Sequence, residues 1–210
     1  MTTNKAFLPA EWYEQRFVQL TWPHADTDWA PYLKEITLTL VEITRAITCY
    51  EDLVIASQTP DATREALQSA LTAQQMERVT IVECQTNDTW ARDHGGMTLV
   101  TDDNRKLVLD FRFNGWGDKF EAGKDNLITQ QLQATGILGD ELIDCNDFVL
   151  EGGSIESDGK GTIFTTSQCL LAPNRNQPLT KNEVEEQLKK RLHASRIVWL
   201  NHGNLIGDDT

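Results

Sequence analysis

The feature that most constrains the fold is the alternation of short apolar segments with helical segments. Strands are predicted at 17–22, 53–57 and 79–84, and helices at about 29–49 and from Asp61 or Thr63 to about 73. The later elements are a hairpin (97–100 and 106–113), a helix (about 124–135), strands (141–145 and 148–150), a second hairpin turning at 157–161 into 162–166, a helix (about 181–193) and a strand (196–200). No linker divides these elements, so the pattern predicts one α/β or α+β domain over residues 1–210 rather than a helix bundle or a sandwich.

Two short motifs each place one carboxylate beside paired glycines at the edge of an apolar strand. Residues 90–96 read WARDHGG and contain Asp93, and residues 150–155 read LEGGSI and contain Glu151. Either motif alone is typical of an ordinary turn. Together they predict a pocket for a cation, and Trp90 adds an aromatic wall. A planar cation such as guanidinium can both stack on such a wall and form a forked hydrogen-bond pair with a carboxylate.

These two motifs belong to a series of short segments that are spread along the whole chain. They read LPAEW (8–12), LTWPH (20–24), NDTWARD (87–93), FNGWG (113–117), LEGGSIE (150–156), PNRN (173–176) and GDDT (207–210). In order and spacing the chain resembles the agmatine deiminase family, which also includes the bacterial type of peptidyl-arginine deiminase. The resemblance implies an α/β fold of the pentein (α/β-propeller) type, with about three of its five strand-strand-helix-strand modules present.

The resemblance also implies a chemistry and a set of roles. In that family a cysteine thiolate attacks the guanidinium carbon, and a histidine protonates the departing ammonia and then activates water, without metal or organic cofactor. By resemblance, Asp93 would pair with the guanidinium and Glu151 would orient the histidine. Trp90 would wall the pocket, and Trp116 would line the route of the alkyl chain. The family's Asp-Gly-His segment and its cysteine are expected beyond residue 210, so the chain is expected to be the N-terminal part of a deiminase and inactive alone.

The resemblance favours agmatine as the substrate, and it implies N-carbamoylputrescine and ammonia as products on a route to putrescine. The family usually reads Asn-Ala-Trp-Gly-Gly where this chain has Asn114-Gly115-Trp116-Gly117-Asp118. Arginine or peptidyl arginine therefore stays open as the substrate. An inactive guanidinium-binding module is the alternative outside the enzymes.

Charge and composition narrow the partners. The formal net charge of −13 argues against nucleic acid and anionic membranes, which attract basic patches, and is compatible with a small cationic substrate. Neither a signal peptide nor an apolar run of the ~18 residues that span a bilayer is visible, so a cytoplasmic enzyme is predicted. The resemblance suggests a homo-oligomer.

The cysteines and histidines suggest no metal site. The four cysteines are widely spaced without a Cys-x-x-Cys pair, which predicts reduced, structural thiols with neither zinc nor disulfides. The histidines share no ligand spacing, and His94, beside Asp93, is the one of most interest. Arg92 is predicted to be an ion-pair partner, and the loop 174–176 is predicted to cap neighbouring backbone groups.

Overall fold

The computed structural model describes residues 5–202. In chain order its strands are β1 (Ala6–Phe7), β2 (Phe17–Thr21), β3 (Asp52–Ser57), β4 (Val79–Glu83), β5 (Met97–Thr101), β6 (Lys106–Arg112), β7 (Glu141–Val149), β8 (Ile155–Ser157), β9 (Thr162–Thr166) and β10 (Arg196–Leu200). Its helices are α1 (Leu33–Ile47), α2 (Pro60–Gln68), α3 (Ala73–Met76), α4 (Ala91–His94), α5 (Gly115–Asp118), α6 (Ile128–Ala134), α7 (Ser167–Leu170) and α8 (Lys181–Arg191). This composition confirms the predicted mixture of helices and strands.

The described chain divides into two compact units. Unit one takes in the residues up to 13, then 92–121 and 133 onward, and unit two takes in 14–91 and 122–132. The sequence shows no linker at these boundaries, and the single-domain interpretation stays a prediction. None of the helices between residues 5 and 202 is both long and apolar enough to cross a membrane.

Unit one contains two sheets. The larger has the order β1-β5-β6-β7, in which β5 and β6 form the predicted antiparallel hairpin and β6 runs parallel to β7. The smaller has the order β10-β9-β8, with β8 and β9 as the second predicted hairpin and β10 parallel to β9. Apolar side chains from both sheets meet those of α8 in one core; its fully buried members include Leu99, Leu150, Ile163, Leu170 and Leu188.

Unit two is built on a parallel sheet of order β2-β3-β4. Strand β3 is buried at every position from Leu53 to Ser57, as expected for the middle strand of a parallel sheet covered by helices. Leu40 and Val41 of α1 and Leu67 of α2 complete its core.

Most predicted elements differ from the structure by a few residues at their ends, and three differ in kind. The helix expected to continue to about residue 73 ends at Gln68, because Thr72 caps the separate helix α3: Thr72 Oγ1 accepts from Gln75 N, and Gln75 Oε1 accepts from Thr72 N. The strands predicted at 141–145 and 148–150 form one strand, β7. Its register against β6 slips between the pairs Phe111–Cys145 and Arg112–Val149, which explains the interrupted apolar pattern. The Asp93 motif lies in α4, just before β5, rather than at the exit of β4.

Candidate active site

Asp93 lies in the single helical turn α4, and its carboxylate is fixed by the Glu151 motif. Its Oδ1 accepts a hydrogen bond from the backbone N–H of Gly153 at 3.2 Å. Burial, and then the negative charge of Glu151, raise the pKa of Asp93 from 3.8 to about 6. The Gly153 hydrogen bond and the charges of Arg92 and Arg175 oppose that rise. The two predicted carboxylates are therefore close enough to influence each other, although about 60 residues separate them in the sequence.

The glycines after Glu151 are required by close packing rather than by a turn. A Cβ atom on Gly152 would lie inside van der Waals contact of the Arg92 carbonyl oxygen, and one on Gly153 would collide with Asp93 Oδ1. Neither glycine has the positive φ that a side chain would resist. Residues 152 and 153 must therefore be small because the Asp93 segment lies directly against them.

Glu151 is buried and held through one oxygen. Its side chain is 2% exposed, and Oε1 accepts from Nη1 of Arg175, whose side chain is 3% exposed. The thiol of Cys169 also donates to Oε1, with Sγ at 3.6 Å. The other oxygen, Oε2, is buried and has no hydrogen-bond partner among residues 5–202.

Cys169 is a protonated donor in this cluster. Burial, and then the charge of Glu151, raise the pKa of its thiol from 9.0 to about 11. A thiol in that state cannot act as a nucleophile at neutral pH, in agreement with the structural role predicted for it. The prediction nevertheless missed its contact with Glu151, because nothing in the local sequence signals a partner 18 residues away.

Arg175 is the second residue that sequence reasoning missed. Its neighbours do have the predicted structural role: Asn176 accepts from the N–H and donates to the carbonyl oxygen of Val149, both at 2.8 Å. The Asn174 carbonyl oxygen accepts from Asn114 Nδ2 at 2.8 Å. The available signal was the pattern itself, an arginine between two loop-fixing asparagines.

Trp116 lies in a strained turn beside that loop. Its backbone is left-handed (φ 58°, ψ 44°), which is unusual for a bulky residue and is typical of functional sites. Its ring meets those of Phe113 and Phe120 edge to face, with centroids 5.2 and 5.6 Å apart. The half-buried ring belongs to an aromatic cluster, and its contact with substrate stays a prediction.

Arg92 and His94, on either side of Asp93, have environments typical of structural residues. Arg92 is exposed and pairs with Glu11 at 2.5 Å and with Glu156 at 2.9 Å, in agreement with the ion-pair role predicted for it. His94 is buried, and that burial lowers its pKa from 6.5 to about 4. A histidine in that environment is neutral at physiological pH, and its ring centroid lies 6.4 Å from that of Phe113.

Trp90 belongs to unit two, where it packs against Trp29 with ring centroids 6.4 Å apart. Its loop is anchored by Asp125, a buried carboxylate that accepts from the N–H groups of Asn87 and Asp88. Burial raises the pKa of Asp125 to about 6. The predicted role of Trp90 as a wall for the cation stays a prediction.

The charged groups of the cluster in unit one nearly cancel. Asp93 and Glu151 supply two carboxylates and Arg175 one guanidinium, so the three carry one net negative charge when ionised. No group of three or more His, Cys, Asp or Glu side chains within the described part of the chain is arranged to hold a metal ion. One segment of the family resemblance, GDDT at 207–210, lies outside the described residues.

Comparison with known proteins identifies relatives of the whole chain. A model of the Porphyromonas-type peptidyl-arginine deiminase family matches residues 7–210. The agmatine deiminase of Stutzerimonas stutzeri (strain A1501) is 35% identical over 213 residues, which cover 97% of this chain and 55% of that protein. The chain spans about half the length of the curated relatives that it matches.

Solved structures agree. A C. jejuni agmatine deiminase variant with substrate bound superposes with a TM-score of 0.88 at 34% identity, covering 100% of this chain and 60% of that one. An Enterococcus faecalis agmatine deiminase gives a TM-score of 0.78 at 28% identity, covering 94% and 53%. These neighbours confirm the predicted pentein type of α/β fold and its partial coverage by this chain.

Proposed function

The chain belongs to the Porphyromonas-type peptidyl-arginine deiminase family, and from this membership we propose that the natural protein hydrolyses a guanidino group and releases ammonia. The observation that carries the proposal is the pairing of Asp93 with the Glu151 motif through the Gly153 N–H. This contact brings together two carboxylates from distant parts of the chain, next to one buried arginine.

The reaction needs a strong nucleophile because resonance stabilises the guanidinium carbon. In the proposed scheme a cysteine thiolate adds to that carbon, the C–N bond to the departing nitrogen breaks, and a histidine supplies its proton. Water activated by the same histidine then releases the ureido product. We assign neither the cysteine nor the histidine to the described residues, because Cys169 is held protonated and His94 is buried and neutral.

Within this scheme Asp93 forms two parallel charge-assisted hydrogen bonds with the substrate guanidinium. Its half-buried position and its fixed Oδ1 support that role. Glu151 orients the histidine and stabilises its charge. The buried Oε2 of Glu151, which has no partner among the described residues, supports that assignment. Trp90 and Trp116 are proposed to bind the substrate's planar group and its alkyl chain.

We propose agmatine as the substrate and N-carbamoylputrescine as the product. The support is the naming of curated and solved relatives as agmatine deiminases. Peptidyl arginine is the second candidate, favoured by the description of the matching family. The two substrates differ at the end away from the guanidino group. The amine of agmatine suits an acidic side chain or open solvent there, whereas the peptide backbone of peptidyl arginine does not.

The test is ammonia release by the natural protein, whose intact mass is measured on the same sample. Agmatine, arginine and an arginyl peptide are compared, with Asp93→Ala and Glu151→Ala as variants and Asp147→Asn and Glu141→Gln as surface controls. Release from agmatine that both site variants abolish and both controls retain supports the proposal. A folded natural protein that releases no ammonia from any of the three contradicts it and leaves the guanidinium-binding module.

A further inference from the structure

The Arg175–Glu151 pair is more deeply buried than a stabilising ion pair needs to be. Both side chains are at most 3% exposed. Removing two charges from water costs free energy that their attraction often fails to return, so a buried ion pair is weak evidence for a purely stabilising role. The pair is near enough to Asp93 to act on its carboxyl: after burial, the charge of Glu151 raises the pKa of Asp93, and the charge of Arg175 opposes that rise. Its position therefore points to a role in the site.

The two donors to Glu151 share one acceptor. Arg175 Nη1 and the Cys169 thiol both donate to Oε1, whereas Oε2 receives no hydrogen bond from the described residues. A carboxylate oxygen fixed in this way sets the direction of the other oxygen, because the two lie in one rigid plane.

Arg175 is itself held in place by its loop. Asn174 donates through Nδ2 to the Gly117 carbonyl oxygen at 3.3 Å, and Asn176 binds the backbone of Val149 on both sides. A Cβ atom on Gly117 would lie 3.2 Å from the Pro173 carbonyl oxygen and 3.4 Å from Arg175 Nε. The turn that carries Trp116 therefore packs directly against the arginine.

We propose that Arg175 is a positioning residue, which holds Glu151 through Oε1 so that Oε2 is directed at the group that Glu151 serves, and which leaves the cluster with the single negative charge that matches one guanidinium. The inference rests on the proposed deiminase function. Arg175 acts through Glu151 and Asp93 and is not expected to touch the substrate.

The experiment compares the natural protein with Arg175→Met, Arg175→Lys and the control Arg105→Met, whose arginine pairs with Glu141 at the surface. Arg175→Met is expected to lower kcat for agmatine on the order of 100-fold with KM near the wild-type value, as a small misplacement of a catalytic group does. The acidic limb of kcat/KM moves to higher pH, because the charge that lowers the pKa of Asp93 is gone.

Arg175→Lys keeps the charge but not the planar fork, so the limb stays in place while kcat falls less than in Arg175→Met. Arg105→Met is expected to leave both kcat and the acidic limb of kcat/KM unchanged. A folded Arg175→Met protein with wild-type kcat and an unmoved limb would overturn the proposal. If Arg175→Met does not fold, Arg175→Lys decides: lowered kcat with an unmoved limb supports the proposal, and wild-type kcat overturns it.

A second readout separates this inference from the proposed function. If the wild-type protein releases no ammonia, the deiminase proposal fails, and the carboxyl carbon of Asp93 is titrated by NMR in the wild-type and variant proteins. A midpoint that moves up in Arg175→Met but not in Arg175→Lys or Arg105→Met supports the part of the proposal that concerns charge, in which Arg175 offsets one of the two carboxylates. An unmoved midpoint in Arg175→Met overturns it.

Discussion

At the scale of single residues, the site is defined by how closely two chain segments approach. From sequence, the paired glycines after Glu151 are typical of a turn, and together with the Asp93 motif they predict a pocket for a cation. The structure supplies a more specific reason, since side chains at Gly152 and Gly153 would collide with the Arg92 carbonyl oxygen and the Asp93 carboxylate. The sequence alone could not provide that reason, because the collision involves a segment about 60 residues away.

This contact predicts the effect of one added methyl group. Gly153→Ala is expected to displace Asp93 Oδ1 and to lower kcat/KM for agmatine on the order of 100-fold. The matched control is Gly123→Ala, because a Cβ atom there would meet nothing within 4 Å. Steady-state rates of both variants measure the difference. Equal rates in the two variants would show that Asp93 is not held by this approach.

The missed residues are also explained at this scale. Arg175 and Cys169 converge on Glu151 from separate points of the chain. Cys169 carries no local signal, and the signal for Arg175 is limited to its place between Asn174 and Asn176. Their roles depend on the loop 173–176 and on α7, both of which lie outside the predicted strands and helices.

At the scale of elements, the predicted strands and longer helices match closely, whereas the short turns were missed. Short apolar runs located β3, β9 and β10, and the turn residues between such runs located both hairpins. The helical turns α4, α5 and α7 have four residues each, too few for a period of 3.6 to be visible. The site residues Asp93, Trp116 and Cys169 lie on these turns.

The turn α5 carries the departure from the family pattern. Gly115 has φ 63°, and a Cβ atom there would collide with the Phe120 carbonyl oxygen. Gly115→Ala, which restores the usual family residue, is therefore expected to destabilise the protein by about 1–3 kcal/mol and to raise KM for agmatine by moving Trp116. Denaturant unfolding and initial rates measure these effects, with Gly123→Ala again as the control. Unchanged stability and KM would show that the turn adopts another conformation.

At the scale of the whole molecule, the alternating pattern predicted an α/β or α+β fold, and the family resemblance predicted the pentein type of α/β fold. The apolar pattern could not predict the order of the strands in the sheet, because β1 pairs with β5 and β6 with β7 across long stretches of chain. β1, with two residues, is also too short for sequence periodicity to identify. The formal net charge of −13 belongs to the whole molecule. It is compatible with a cationic substrate but does not identify one.

The pH dependence of kcat/KM for agmatine tests the central claim most directly, because it reports the ionisation of groups in the free protein. Asp93 must be ionised to pair with guanidinium, and its pKa is raised to about 6 by burial and by Glu151. In the wild-type protein and in Asp147→Asn, kcat/KM should therefore fall about tenfold per pH unit below about pH 6. In Asp93→Asn, kcat/KM should be far lower and should show no such acidic limb. A wild-type profile that stays flat from about pH 5 to 8, or an Asp93→Asn protein with wild-type rates, would contradict the assignment of Asp93 as the carboxylate that binds the guanidinium.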